Sequence, residues 1–311
     1  MPKIPVRDPA HGARAHWDLE ADMRFEVAVA EYMEDRARRL RRTTLEGYES
    51  AVRCHLAPRW TGRELEGIGF EELQAWVDGF ERPGAAEKAF KTFRQVYRWA
   101  LRRHQLRVWD VTQGIELPRK PVVRRPTLRA AEERRTLREI AGQEFEPVVL
   151  LAAALGLRRC EACGVEWQDI DWRGGWVHVQ CGRHSVRGGE DVTPCKTRLS
   201  DRWLRLPRWA LERLRAIRGD RRRGRTCGLS PNAVSARFRR FCAARGLPWV
   251  PVTCLRHSWA TIALEAGAAI EDVSVALGHS TVNTCIQHYL QSFRQVVSRA
   301  GDCYSRALLG S

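Results

Sequence analysis

The chain contains 311 residues, 44% of them hydrophobic and 29% charged, which is typical of a globular protein of about two domains and excludes collagen-like, low-complexity and broadly disordered classes. The longest apolar run, Pro147 to Leu157, is too short to cross a bilayer and no apolar signal segment opens the chain, so we expect a cytoplasmic protein without a membrane partner. The formal net charge of +16, from 53 Lys and Arg against 37 Asp and Glu, favours a polyanionic partner, with nucleic acid ahead of an anionic membrane surface.

The basic residues are unevenly distributed. Only five of the 53 are lysines, a preference that codon usage in a GC-rich genome explains, although codon usage does not explain the net excess of positive charge. Residues 1–120 have a net charge of +3, and residues 121–311 have a net charge of +13. The segment from Leu117 to Pro126, with three prolines and four basic residues, cannot continue a helix and suits an extended linker. The sequence therefore predicts an N-terminal tail over 1–19, a helical domain over 20–118, a basic Pro-rich linker over 119–126 and a second domain over 127–311.

The first domain has the apolar periodicity of α-helices. Thr43 with Glu46 forms a sequence pattern for a capping box, which we expect to open the second helix. In the last helix the aromatic residues recur at i, i+3 and i+4, and this spacing places them in a core. The predicted helices are Asp18–Leu40, Leu45–Leu56, Gly69–Val77 and Ala85–Leu106.

The second domain combines helices with short strands. Trp176–Gln180 alternates apolar and polar residues, and Trp203–Leu206 does so again, which predicts a small sheet. Gly188, Gly189 and Pro194 punctuate the chain between the two strands. The expected fold class is therefore mainly α with a small antiparallel sheet. The predicted helices are Ala130–Ala141, Glu146–Leu155, Pro207–Ile217, Pro231–Ala244, Leu255–Ala266 and Ile270–Leu277.

Two groups of arginines are candidates for contacts to a DNA backbone. One group lies on the outward face of the last helix of the first domain, and the other is a run in the second domain. A plain solvated face or loop is the alternative in both cases. The candidates are Arg94, Arg98, Arg102, Arg221, Arg222 and Arg223.

The ten cysteines do not indicate a disulfide framework, because they are spread along a long chain without a secretory signal. Cys160 and Cys163 form a close pair, but a zinc site needs a second pair, and Cys181 and Cys195 do not form one. We therefore expect small buried hydrophobic residues, with neither a metal site nor a redox pair.

Four short stretches carry groups that can handle a phosphate. In the first, arginines follow a glycine that ends an apolar helix. At the start of the next helix, a guanidinium and the free backbone N–H groups can bind an anion together. In the second, one of only five lysines lies between two strands, and an ammonium can give up a proton whereas a guanidinium cannot. Taken singly, each stretch is also explained as surface, chance placement, a helix cap or a core aromatic. The stretches are Ala154–Glu161, Thr193–Arg198, Val252–Thr261 and Leu277–Tyr289.

Taken together, in this order and spacing, the four stretches closely resemble the tyrosine recombinase (phage integrase) family. The resemblance implies a helical, SAM-like core-binding domain followed by a mixed α/β catalytic domain. It assigns catalytic roles to two arginines, a hairpin lysine, a histidine and a tyrosine nucleophile, and supporting roles to three neighbours. Tyr304 is a poorer candidate for the nucleophile because it lies well beyond the Gly278-His279 corner of the fourth stretch. The implied catalytic residues are Arg158, Lys196, Arg256, His279 and Tyr289, and the supporting residues are Glu161, Thr253 and His257.

One position departs from the family pattern. Three residues before Arg256, where the family usually has His or Lys, this chain has Thr253. A hydroxyl can donate to a phosphate oxygen, but it cannot carry charge or shuttle a proton near neutral pH. The departure puts full catalytic strength in doubt rather than the fold, and His257 is a possible partial substitute.

The resemblance also implies the reaction and its partners. Family members cut and rejoin double-stranded DNA at recombination sites through a 3′-phosphotyrosine link, as a homo-tetramer on DNA, without cofactor or metal. The sequence agrees, since it has no G-x-x-x-x-G-K-[ST] loop and no acidic cluster for magnesium. The C-terminal stretch Phe293–Leu309 is expected to dock either on a neighbouring subunit or on its own.

Several functions remain open at this level. An active site-specific recombinase that integrates or excises a mobile element is the leading hypothesis. The alternatives are a DNA-binding relative with reduced or lost cleavage, which Thr253 favours, a type IB topoisomerase-like relaxing enzyme, and a non-enzymatic regulator of another family.

Overall fold

A computed structural model of the protein describes residues 23–121, 125–195 and 198–278. The chain divides into two compact units, Met1–Val122 and Val123–Ser311, so the division lies within the segment 119–126 for which the sequence predicts a linker. In the described part of the chain, no helix is both long enough and apolar enough to cross a membrane.

The helices of the first unit pack around a cluster of aromatic rings. Phe93 lies at its centre, with ring centroids 5.6 Å from Phe25, 5.3 Å from Trp60 and 5.6 Å from Tyr97. All four rings are buried, so the aromatic spacing of the last helix indeed marks its core face. The helices are α1 (Phe25–Ala37), α2 (Arg42–Ala51), a π-helical turn (Val52–Leu56), α3 (Ala57–Trp60), α4 (Phe70–Asp78) and α5 (Pro83–Arg103).

The predicted capping box is wrong. Helix α2 begins at Arg42, with Arg41 as its N-cap and no side-chain cap bond, so Thr43 lies inside the first turn. The reason is that the backbone leaves the extended region at Arg41, whose carbonyl accepts hydrogen bonds from the amides of Thr44 and Leu45 at 2.9 and 3.1 Å. The helix therefore starts three residues before Leu45, where the sequence predicts its start.

A fully buried helix forms the centre of the second unit. Every residue of α7 is buried, which is expected of a helix that is apolar all round and surrounded by other elements. Helix α11 packs along it. The helices of this unit are α6 (Ala130–Glu139), α7 (Glu146–Leu155), α8 (Arg159–Gly164), α9 (Arg208–Arg218), α10 (Pro231–Ala244), α11 (Val252–Glu265) and α12 (Ile270–Leu277).

The second unit also contains the small antiparallel sheet, which confirms the fold class. Its strands are β1 (Ile170–Asp171), β2 (Trp176–Val179) and β5 (Arg202–Arg205), in the order β1-β2-β5. Val177 and Val179 are buried while Trp176 is exposed, so the apolar and polar alternation of β2 separates a core face from a solvent face.

A second hairpin lies between β2 and β5. It pairs β3 (Cys181–Val186) with β4 (Gly189–Pro194) in antiparallel register. The sequence marks only the turn residues here, because β3 and β4 lack the regular alternation that predicts a strand. Gly188, with φ +79°, adopts the left-handed conformation that this tight turn requires.

A carboxyl group is buried on the inner face of α6. Glu133 is 9% exposed, and its Oε2 atom has no hydrogen-bond partner among the described residues. Burial raises the pKa of Glu133 from 4.5 to about 7, because the charged form loses its hydration. A carboxyl that binds its proton more tightly in the folded state stabilises the fold below its unfolded pKa, and that contribution is lost as the pH rises through the folded pKa.

We therefore predict that Glu133→Gln removes part of the pH dependence of stability. Between pH 5 and pH 8 the wild type should lose about 2–3 kcal/mol of unfolding free energy that the variant retains, because the glutamine never ionises. Urea unfolding at both pH values measures the difference. Glu139→Gln, at the exposed end of the same helix, is the control and should show the wild-type pH dependence. Parallel curves for wild type and Glu133→Gln would contradict the prediction.

Candidate active site

The first candidate stretch forms a sharp corner between two helices. Gly156 ends α7 in the left-handed conformation, with φ +63°, and α8 begins at Arg159. A Cβ atom at Gly156 would lie 2.7 Å from Leu277 Cδ2 and 2.9 Å from Trp259 Cε3. Glycine is therefore required both by the backbone conformation and by the close packing of α11 and α12 against this corner.

Arg158 and Glu161 are joined at the start of α8. The carboxylate of Glu161 accepts the backbone N–H of Arg158 at 3.0 Å and its Nη1 at 2.6 Å. The Glu161 side chain is 5% exposed, whereas that of Arg158 is 41% exposed. The buried carboxylate thus caps the helix and holds one edge of the Arg158 guanidinium, while the rest of that side chain remains accessible.

Arg256 connects the corner to the end of α12. It lies on α11, is 6% exposed, and its Nη1 donates to the carbonyl of Gly156 at 3.0 Å. Its Nη2 donates to the carbonyl of Leu277 at 2.8 Å. The first, third and fourth candidate stretches therefore meet at one guanidinium.

Arg202, on β5, is a further residue of this cluster that the sequence does not single out. Its Nη2 donates to Glu161 Oε2 at 3.3 Å, its Nη1 to the carbonyl of Ser200 at 2.9 Å and its Nε to the carbonyl of Ala276 at 2.9 Å. Its side chain is only 9% exposed. One buried arginine in a chain with 48 arginines has no sequence signal, since only the tertiary fold distinguishes it from its neighbours.

The electrostatics of the cluster keep Glu161 ionised. Burial by itself would raise the pKa of Glu161, but the charge of Arg202, followed by the hydrogen bond and charge of Arg158, outweighs burial and lowers that pKa below its ordinary value. The carboxylate is therefore negative at neutral pH and shared between two guanidinium groups.

The remaining candidate residues divide into two groups. Thr253 is exposed on the first turn of α11, and His257, one turn later on the same helix, is half-buried. The predicted catalytic residues outside the described part of the chain are Lys196, His279 and Tyr289, together with the less favoured Tyr304.

The candidate arginines of the first unit have different surroundings. Arg98 donates from Nε to Asp110 at 2.7 Å and to Thr112 at 3.2 Å, so this ion pair ties α5 to the following loop. The Arg94 guanidinium lies over the ring of Phe90, 5.7 Å from its centroid, and Arg102 is exposed near the end of the helix. A DNA contact remains a prediction for these residues.

In the second unit, Arg221 donates to the carbonyl groups of Arg218 and Ile217 and covers the ring of Trp167. It therefore caps the end of α9. Arg222 and Arg223 are exposed.

The close cysteine pair lies next to the corner. Burial raises the pKa of Cys163 to about 12 and that of Cys160 above its ordinary value, so both thiols are protonated at neutral pH. Within the described residues, no group of three or more His, Cys, Asp or Glu side chains could hold a metal ion.

Residues 142–295 match the model of the phage integrase family. The chain belongs to this family. It is 26% identical over 274 residues to the tyrosine recombinase XerC of Xylella fastidiosa (strain M23), covering 83% of this chain and 89% of that one. The resemblance inferred from the four stretches is thereby confirmed.

Solved structures of integrases share the fold of this family member. The Tn1549 transposon integrase in complex with a circular intermediate DNA matches with a TM-score of 0.72 at 15% identity, covering 88% of this chain and 99% of that one. A lambda integrase tetramer bound to a Holliday junction matches with a TM-score of 0.66 at 20% identity, covering 86% of this chain and 78% of that one.

We predict that Gly156→Ala lowers the unfolding free energy of this family member by about 2–4 kcal/mol, because strain at positive φ adds to overpacking against Leu277 and Trp259. The matched control is Gly142→Ala, which also has a positive φ (83°) but no atom within 4 Å of the new Cβ. It should lose only about 1 kcal/mol, from backbone strain alone. Urea denaturation measures both values, and equal losses at the two positions would refute the close-packing explanation.

Proposed function

We propose that this protein is a DNA strand-exchange enzyme, a site-specific recombinase that integrates or excises a mobile element. The observation that carries the proposal is the corner at Gly156. Buried Arg256 donates a hydrogen bond to the carbonyl of Gly156, and the accessible Arg158 lies two residues further along the chain. Two guanidinium groups held close to one backbone turn suit a phosphodiester, whose nonbridging oxygens accept hydrogen bonds in pairs.

Tyr289 is proposed as the nucleophile. A phenol has an ordinary pKa near 10, so its attack requires an electrophilic phosphate and removal of the phenol proton. Arg158 and Arg256 would bind the nonbridging oxygens and offset the negative charge that develops in the phosphorane-like transition state. The ion pair of Arg158 with Glu161 supports this role, because it restricts the arginine while leaving its guanidinium accessible.

The leaving group needs a proton. As the bond from the Tyr289 oxygen to phosphorus forms, the bond to the 5′ oxygen breaks, and Lys196 is proposed to protonate that oxygen. His279 would hydrogen-bond the phosphate or assist the transfer of the phenol proton. The 3′-phosphotyrosine link conserves the energy of the phosphodiester, so rejoining to a new 5′-hydroxyl requires neither ATP nor a metal ion.

The proposed partner is duplex DNA. The solved relatives are integrases bound to DNA, one of them a tetramer on a Holliday junction, which supports a homo-tetramer on recombination sites here. A net charge of +13 over residues 121–311 supports affinity for the phosphate backbone. The transposon integrase among the matches supports a role in moving a mobile element.

A second candidate function is DNA binding with reduced or lost cleavage. Thr253 favours it, since this hydroxyl lies one helical turn before Arg256 where a proton-carrying side chain is usual in the family.

We predict that the wild-type protein forms a covalent adduct with a nicked suicide duplex and that Tyr289→Phe forms none. The duplex is first selected from a random-sequence pool by binding to the protein, and the adduct is detected on a denaturing gel in EDTA. Tyr304→Phe is the matched control and should retain the adduct. An adduct that survives Tyr289→Phe would refute the nucleophile assignment, and a wild type that binds the duplex without forming an adduct would favour the second candidate function.

We also predict that Thr253→His raises the rate of adduct formation by about tenfold, because an imidazole can carry a proton near neutral pH. Single-turnover kinetics on the same duplex measure the rate. Thr253→Val, which removes the hydroxyl at similar volume, should lower the rate, and an unchanged rate in both variants would show that this position has no part in the reaction.

A further inference from the structure

We propose that Arg202 is a positioning residue for strand cleavage: its guanidinium holds Glu161 and the last turn of α12 in one arrangement, and so aligns Arg158 with the end of α12 at Gly278. This inference rests on the proposed function.

The first reason is the number of separate elements that one side chain joins. The Nη2 group of Arg202 bonds Glu161 in the first turn of α8, and its Nε bonds the carbonyl of Ala276 in the last turn of α12. Its Nη1 bonds the carbonyl of Ser200 in its own segment, four residues after Lys196. The three acceptors of this guanidinium thus lie inside, or within two residues of, three of the four stretches that the sequence singles out.

The second reason is geometric. A guanidinium is planar and directs its N–H groups at fixed angles, so three acceptors on three segments define its orientation. With 9% exposure, the side chain has little freedom to move away from them. A lysine at this position would keep the positive charge but would lose the fixed directions of the donors.

The third reason is the close fit of the end of α12. Gly278 has φ +67°, and a Cβ atom there would lie 2.8 Å from the carbonyl oxygen of Leu199 and 3.3 Å from Arg202 Nη1. The backbone of Gly278 therefore packs directly on the segment around Arg202. The side chain thereby fixes the position of Gly278, the last residue of α12's C-terminal turn.

The fourth reason is electrostatic. Glu161 is a buried carboxylate that needs positive partners, and Arg158 and Arg202 supply them. Without Arg202, the whole negative charge of Glu161 would act on Arg158 and would compete with a phosphate for its guanidinium. Arg202 thus leaves Arg158 able to bind the DNA phosphate.

The test compares Arg202→Met and Arg202→Lys with Arg205→Met, an exposed arginine three residues further along the same strand. Single-turnover adduct formation and equilibrium DNA binding are measured for each protein. We expect Arg202→Met to lower the cleavage rate by about 50-fold while its DNA affinity stays within about threefold of wild type, because positioning acts on the transition state. Arg202→Lys should recover part of the rate, and Arg205→Met should match the wild type.

A double-mutant cycle tests whether Arg202 acts through Glu161. In a Glu161→Gln background, Arg202→Met should lower the cleavage rate by less than about tenfold, because the carboxylate that Arg202 orients has already been replaced by a neutral amide. Independent effects, with the full 50-fold loss in both backgrounds, would overturn the coupling. If Arg202→Met fails to fold, the lysine variant carries the same comparison.

Hydrogen exchange provides a readout without DNA. Arg202→Met should increase the exchange of amides in residues 270–278, whereas Arg205→Met should not. A wild type without adduct would refute the proposed function, yet exchange would still test the contact with α12. A wild-type adduct together with Arg202 variants that cleave like Arg205→Met would overturn this inference alone.

Discussion

One buried guanidinium determines how the candidate active site is assembled. Arg256 donates to the carbonyl groups of Gly156 and Leu277, which lie at the C-terminal ends of α7 and α12. Helix ends leave carbonyl groups without intrahelical partners and carry the negative end of the helix dipole, so a positive, forked donor satisfies both ends at once. Each of the two helices ends at a glycine in the left-handed conformation, Gly156 after α7 and Gly278 after α12.

The high arginine content therefore has a structural as well as an electrostatic role. Arg159 donates to Ser235 and the carbonyl of Pro231, which anchors α8 to α10, and Arg213 forms a two-pronged ion pair with buried Glu146. Arg202 joins α8, β5 and α12. These arginines join separate elements by hydrogen bonds and ion pairs to backbone carbonyl groups, a hydroxyl and buried carboxylates, and the exposed arginines add to the positive field that favours a polyanion.

Most of the helices could be predicted because their apolar periodicities are long and regular, and β2 and β5 could be predicted because apolar and polar residues alternate along them. Helix α5 illustrates this, since the aromatic residues that the spacing assigns to the core are buried around Phe93. The start of α2 was mispredicted because a local capping pattern at Thr43 is weaker than the backbone geometry at Arg41. The β3–β4 hairpin was missed because its strands lack alternation and are stabilised by pairing with each other.

The sequence by itself determined the family and the identity of the groups proposed for the chemistry, because the order and spacing of Arg158, Lys196, Arg256, His279 and Tyr289 are properties of the chain. Only the tertiary structure decided what those groups contact. Residues 100 positions apart, such as Gly156 and Arg256, meet through a hydrogen bond that no local pattern encodes. The same holds for Arg202, which differs from its exposed neighbour Arg205 only in the direction in which β5 presents it, toward Glu161 and the end of α12 rather than toward solvent. Burial gives a charged side chain its specific partners, and burial exists only once the helices have packed.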